Sequence, residues 1–484
     1  ISVVFPGRRS GVFFNAYLND MVEKPLLGPE VLTINELISQ LSELQISDQI
    51  NLILSLYKIY VQETGHQEEL DDFFFWGEIL LNDFNDVDKY LLNADDLFQN
   101  ISDLKEIERL FDYLTPEQRR AAEMFWGNLG RSGGSVNREK FLTIWNKLSA
   151  VYKRYRAHLL SEGAGYSGMV YRNITEKLEQ GRELRLSSDR YIFVGFNALN
   201  ACEERLFRWL QTNHKADFFW DYDERFLKDP QHEAGSFIRK NLVRFPMPEG
   251  FTADPHPSFL RKLQVVSVPG QVAQSQVINH RQFFPDHAAK GAFDSTALVL
   301  ADEGLLIPVI SAAGCHSQSI NVTMGYPLQD TPVYSLIGQL IELQKDHRKI
   351  EGEDYFYHRS VLAVLNHQLI TGPDTAKIVQ DINHQNKIYV RASEMKVGDL
   401  PGLIFRKQES WQDAVQWLLA LIKKLANKVR HSNEQPIRLE AEFLYQAFLA
   451  LQRLADILNR NYAEQITLSL FYRIFLRHLQ RITI

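Results

Sequence analysis

Residues 1–18 read ISVVFPGRRSGVFFNAYL. An apolar run with the look of a buried strand breaks at Pro6-Gly7, shows two arginines, and re-enters an apolar pattern with Val12, Phe13, Tyr17 and Leu18 at helical spacing. The stretch predicts a strand, a turn and a helix. In open α/β sheets such turns at the carboxyl ends of parallel strands are where ligands sit, and a helix N-terminus favours anions. Arg8 and Arg9 in that turn point to phosphate. The alternative is a surface turn carrying solvated charge.

Further strand-like runs follow in two sets. YIFVGF (191–196), ADFFWDY (216–222) and VLTI (31–34) join ISVVF in the first; LQVVSV (263–268), TALVLAD (296–302) and INVTMG (320–325) make the second. Each is nearly continuous in apolar residues, as strands covered on both faces are. Helical patterns separate them, so the expected class is α/β with two parallel sheets of the doubly wound kind. The stretch before YIFVGF reads as a helical insertion, with Thr115 as N-cap, Pro116 at the first helical position and Gln118 closing a capping box. A second insertion follows the later strands, with helices expected at 410–429, 440–461 and 466–481. FPMPEGFTADPHPSFLRK (245–262), rich in Pro, is the expected linker.

Composition narrows the classes. The chain has 484 residues, 45% of them hydrophobic and 12% aromatic, which fits several packed cores. Cys202 and Cys315 are the only cysteines, too few for a disulfide framework or for a four-cysteine cluster within this segment. No apolar stretch approaches the ~18 residues of a membrane span, so a cytoplasmic protein with no membrane partner is expected. A net charge of −7 speaks against coating nucleic acid by bulk charge; any such contact is local. The chain opens at Ile1 inside a strand pattern and ends at Ile484 after a helical one, so further sequence is expected on both sides.

The arrangement, with FPGRRSGVFFNAYL, YIFVGFNALNACEERLFRWL and INVTMGYPLQDTPVYSLIGQL, resembles the B subunit of the bacterial AddAB helicase–nuclease, in a divergent form of the PD-(D/E)XK nuclease family, over essentially the whole chain. The resemblance implies two RecA-like domains of a degenerate superfamily 1 helicase core, each with a helical insertion. The first RecA-like domain would span 1–34 and 166–255 around a 1B-like insertion at 35–165. The second would begin at 256–345, with an incomplete 2B-like insertion at 346–484. A nuclease domain holding Mg and an iron–sulfur cluster would lie beyond residue 484, leaving no cofactor in this segment.

The resemblance further implies single-stranded or broken-end DNA as one partner and an AddA-like ATP-driven subunit as another, in repair of double-strand breaks by recombination. By position, Arg8 and Arg9 would meet the DNA backbone, with Phe196 and Tyr326 as base or backbone contacts. Catalysis is not expected here. No Gly-Lys-Ser/Thr occurs to cradle a nucleotide, and YIFVGF ends in Gly195-Phe196 where an acidic pair would hold Mg. Two alternatives stand beside this reading: an assembly scaffold without DNA affinity, and an active helicase whose phosphate loop lies upstream.

Other residues imitate chemistry. Asp302-Glu303 follows a strand pattern like a Walker B pair, Asp221, Asp223 and Glu224 follow another, and Glu394-Met395-Lys396 mimics a nuclease Glu-x-Lys. Each also reads as a polar loop. Arg473, Arg477 and Arg481 form a helical basic stripe, and Lys423, Lys424, Lys428 and Arg430 another; either could face phosphates or solvent. No histidine spacing indicates a metal, and Cys202 is expected in the core.

Overall fold

The structure, a computed structural model, describes residues 1–65, 69–99, 134–251, 265–279, 297–313, 320–395, 399–430, 437–461 and 466–484. The chain divides into two compact units, Ile1–Leu260 and Arg261–Ile484.

The first unit is built on parallel strands. These are β1 (Ser2–Phe5), β2 (Glu30–Thr33), β5 (Tyr191–Val194) and β6 (Ala216–Phe219); a two-residue pair, β3 (Gln45–Ile46) with β4 (Ala164–Gly165), stands apart. The order is β2-β1-β5-β6, all parallel, with Val3 opposite both Val31 and Ile192. Every residue of β1 is buried, which explains why its sequence shows no alternation. From β1 the chain winds outward to β2, then returns past β1 to β5. The winding reverses between β1 and β5, and open α/β sheets bind ligands beyond the carboxyl ends of such strands.

Helix α1 (Arg8–Met21) follows β1 after the turn at Pro6-Gly7. It meets the sheet through Gly11, where a Cβ would lie 2.5 Å from Val31 Cγ1, and through Phe14, whose ring centre is 5.7 Å from that of Phe5. Of the apolar residues read at helical spacing, Leu18 is half-buried and Val12, Phe13 and Tyr17 are exposed, because the contact runs through positions 11 and 14, where a glycine hides it from any hydropathy reading.

Between β2 and β5 lies the helical insertion, with helices at Ile34–Leu41 (α2), Gln49–Thr64, Leu70–Lys89, Ala94–Gln99, Gly134–Ser161 and Ser167–Glu179. The Thr115, Pro116 and Gln118 start signal lies outside the described residues. After β5, helix Ala201–Thr212 packs on the sheet through Leu206, Phe207 and Leu210, joining an aromatic core with Phe193, Phe218 and Phe245.

The second unit departs from expectation. Over the described parts of 263–268, 296–302 and 320–325 no strand forms, and Val265 and Val299 are almost fully exposed. Apolar composition reports a tendency to be covered, whereas a strand exists only by pairing, and these runs find no partner strand among the described residues. The unit's sheet is antiparallel instead: β7 (His347–Ile350), β8 (Glu353–Tyr357) and β9 (Tyr389–Arg391), in that order. Its hairpin turns through Glu351 and Gly352, both at positive φ, as a two-residue turn of the mirror-image type requires. Helices at Pro332–Lys345, Trp411–Arg430, Ile437–Asn461 and Leu468–Gln480 supply the core, and the last three match the expected spans closely. Among the described residues no helix is long and apolar enough to cross a membrane.

Candidate functional site at the carboxyl ends of the parallel strands

A cleft of about 660 Å³ opens over the carboxyl ends of β1 and β2, lined by Pro6, Gly7, Arg8, Thr33, Asn35 and Glu36 among others. Two helices start at its walls. Gly7 gives α1 no side-chain cap, so the first N–H groups of that helix are open to an anion. α2 is closed differently. Thr33 Oγ1 accepts from the Glu36 N–H at 3.2 Å, and Glu36 Oε2 accepts from the Thr33 N–H at 2.8 Å and its hydroxyl at 2.9 Å.

The same Glu36 holds Arg8. Its Oε1 accepts from Arg8 Nε at 3.1 Å and Nη2 at 2.8 Å. The backbone N–H of Thr33, then its hydroxyl, then Arg8 hold the Glu36 carboxyl below the usual carboxylate range. A depressed carboxylate contributes stability above its ordinary pKa and loses it as pH falls through the lowered folded value. Arg8 remains 83% exposed, and exposed pairs are worth little, so a phosphate can take Arg8 from Glu36. Arg9 is exposed, its guanidinium 5.7 Å from the Phe13 ring centre. Asn35, on the cleft wall, is fixed by the Tyr171 hydroxyl, which donates to its Oδ1 at 2.7 Å.

The two aromatic residues expected on DNA have other surroundings. Phe196 is buried, edge-on to Phe207 at 5.5 Å and to Phe193 at 6.0 Å, so the structure assigns it to the core and not to a DNA face. Tyr326 belongs to the other unit. Its backbone exchanges hydrogen bonds with Ile484, its hydroxyl donates to the Asp330 carbonyl, and Gly325 lets Thr483 approach to where a Cβ would sit 2.2 Å away. That segment anchors residues 482–484. Glu36, Asn35 and Phe13 join the site without having been expected there. The Thr33-x-x-Glu36 capping box and the i, i+4 spacing of Arg9 and Phe13 were the available signals.

The imitations of catalytic acids have local roles. Asp302 accepts from the Gly304 N–H and from Gln271 Nε2, and Asp223 caps helix Glu224–Lys228 while pairing with Arg225. Glu394 pairs with Lys387; Lys396 lies outside the described residues, as does Cys315. Lys428 donates to the carbonyls of Leu369, Ile370 and Thr371, and Lys423 lies over the Phe448 ring. Arg473, Arg477 and Arg481 are engaged with neighbouring groups. Cys202 is buried, its thiol donating to the Asp88 carbonyl and pushed up to about 11 by burial. Among the described residues no group of three or more His, Cys, Asp and Glu side chains gathers to hold a metal ion.

Neutralising the acid of the cleft separates its two roles. Glu36→Gln is expected to tighten binding of a fluorescent phosphate-bearing probe by about two- to fivefold, because Arg8 is freed and a negative charge leaves the site. Fluorescence anisotropy measures this; weaker binding would mean that Glu36 positions Arg8 and does not compete for it. No family model matches the chain, and no curated protein matches it.

Proposed function

We propose that the chain is the inactivated helicase-like part of an AddB-like subunit of a DNA end-processing helicase–nuclease, binding single-stranded DNA and an ATP-driven partner subunit. One observation carries the reading: the Arg8-Arg9 turn stands at the carboxyl end of a central strand in an all-parallel sheet, beside its topological switch point, with a helical insertion between β2 and β5. On this reading the first unit is a degenerate RecA-like domain. The chain contains no Gly-Lys-Ser/Thr, and the acids that would follow β5 are replaced by Gly195-Phe196, so ATP hydrolysis falls to the partner.

Arg8, Arg9 and the open N-terminus of α1 serve the phosphates, and Phe13 offers an exposed ring beside them. Val12, Tyr17 and Met21, exposed on the same helix, suit a partner surface. The test is anisotropy of a labelled oligonucleotide at several salt concentrations. Arg8→Ala/Arg9→Ala is expected to weaken binding and to flatten the slope of log K against log salt by about 1.4, about 0.7 for each phosphate that is no longer neutralised. Absence of binding by the unaltered protein at low salt would leave the assembly scaffold as the reading.

A further inference from the structure

We propose that the outer face of the β7-β8-β9 sheet is a stacking platform for single-stranded nucleic acid. The register sets Arg348 opposite Tyr355, Tyr355 opposite Arg391, and Tyr357 opposite Tyr389. Side chains alternate across a sheet, and the intervening Phe356 and Val390 are buried. Three tyrosines and two arginines therefore share the solvent side. The tyrosines are half-buried and the arginines exposed.

The guanidinium of Arg348 reaches across the central strand to lie 4.9 Å from the Tyr389 ring centre, and that of Arg391 lies 5.6 Å from Tyr355, whose hydroxyl accepts from its Nε at 3.1 Å. Tyr357 and Tyr389 stand 5.8 Å apart, ring centre to ring centre. Phenol rings and guanidinium planes are the surfaces on which unpaired bases stack, and sheet-borne aromatics are a recurrent way to present them. Successive outward residues on one strand are about 7 Å apart, so Tyr355 takes one base and the Tyr357–Tyr389 pair takes the next.

Charge agrees with that occupant. Glu353 is the acid on this face and pairs with Arg391 at 2.7 Å, an exposed pair that a phosphate displaces easily. Lys387 and Glu394 at the edge cancel each other. Two arginines against one glutamate leave the face positive. A duplex hides its base faces, so the favoured ligand is a single strand. The platform is independent of the Arg8-Arg9 turn, which lies in the other unit.

The experiment titrates a labelled oligodeoxythymidylate into the full chain and into three variants, with circular dichroism as the folding control. Tyr357→Ala/Tyr389→Ala is expected to weaken binding by about 5- to 150-fold while leaving the salt slope unchanged, because stacking carries no charge. Tyr357→Phe/Tyr389→Phe keeps the π-faces and is expected to bind normally. Photo-crosslinks from an iododeoxyuridine-substituted strand, mapped by mass spectrometry, are expected at Tyr355, Tyr357 or Tyr389. Unchanged affinity in a folded alanine variant, or crosslinks confined elsewhere, overturns the platform and leaves the face to a protein partner. Loss of binding in Arg8→Ala/Arg9→Ala alone would do the same while sustaining the reading of the turn.

Discussion

Replacing Asp88 by alanine is expected to destabilise the first unit by about 3–5 kcal/mol, the cost of leaving buried charge without its partner. Asp88 is fully buried, and its carboxylate accepts from the hydroxyls of Tyr152 and Tyr166. Arg172 Nη1 stands 3.4 Å from it and Arg156 Nε 3.8 Å. Both arginines also reach Glu176, at 3.0 and 3.1 Å, so two cations face two carboxylates and the cluster is neutral. Removing Asp88 leaves two cations with one acid and takes the acceptor from two buried hydroxyls. Burial, then the Asp88 charge, hold the Tyr152 and Tyr166 phenols well above the usual tyrosine range, so both stay protonated donors to Asp88 in the intact protein.

The position of the cluster explains why the effect should be large. Asp88 lies in the last turn of the helix Leu70–Lys89, Tyr152 and Arg156 come from Gly134–Ser161, and Arg172 and Glu176 from Ser167–Glu179. The Asp88 carbonyl accepts from Cys202 on the helix after β5, so the same residue joins the insertion to the sheet. Asp88→Asn retains the shape and one acceptor and should lose less than Asp88→Ala. Urea denaturation followed by circular dichroism decides; a loss below about 1 kcal/mol for Asp88→Ala would show that water or rearranged carboxylates replace it.

How much of this was legible follows from what each signal measures. The first sheet was legible because β1 is covered on both faces, and a short continuous apolar run reports that directly. The antiparallel sheet was not, because β7 and β8 read HRKI and EDYFY, with charged residues at exposed and half-exposed positions and one core residue, Phe356. The turn at Arg8 and Arg9 was legible from Pro6-Gly7. That Glu36 would sit on Arg8 was not, since the contact joins the first turns of two helices that only the parallel register of β1 and β2 brings together. Asp88 had no sequence signal, because a buried acid and a solvated one look alike until their partners are placed.

Phe196 tests the boundary between site and core. Its position after β5 invites a role on DNA, yet it is 5% exposed and packs edge-on against Phe193 and Phe207. Phe196→Ala is therefore expected to cost about 3–5 kcal/mol of stability, the usual range for emptying an aromatic site in a core. Among molecules that remain folded, affinity for a single strand should be unchanged. Phe196→Leu keeps most of the volume and should recover much of the loss. A stacking residue behaves in the opposite way: affinity falls by about 5- to 150-fold, while stability barely moves because an exposed ring contributes little to the fold. Gly195, at φ 75°, turns the backbone just before Phe196 and so directs the ring into the aromatic cluster instead of the cleft. Gly195→Ala would strain that turn and is expected to lower stability without touching the cleft.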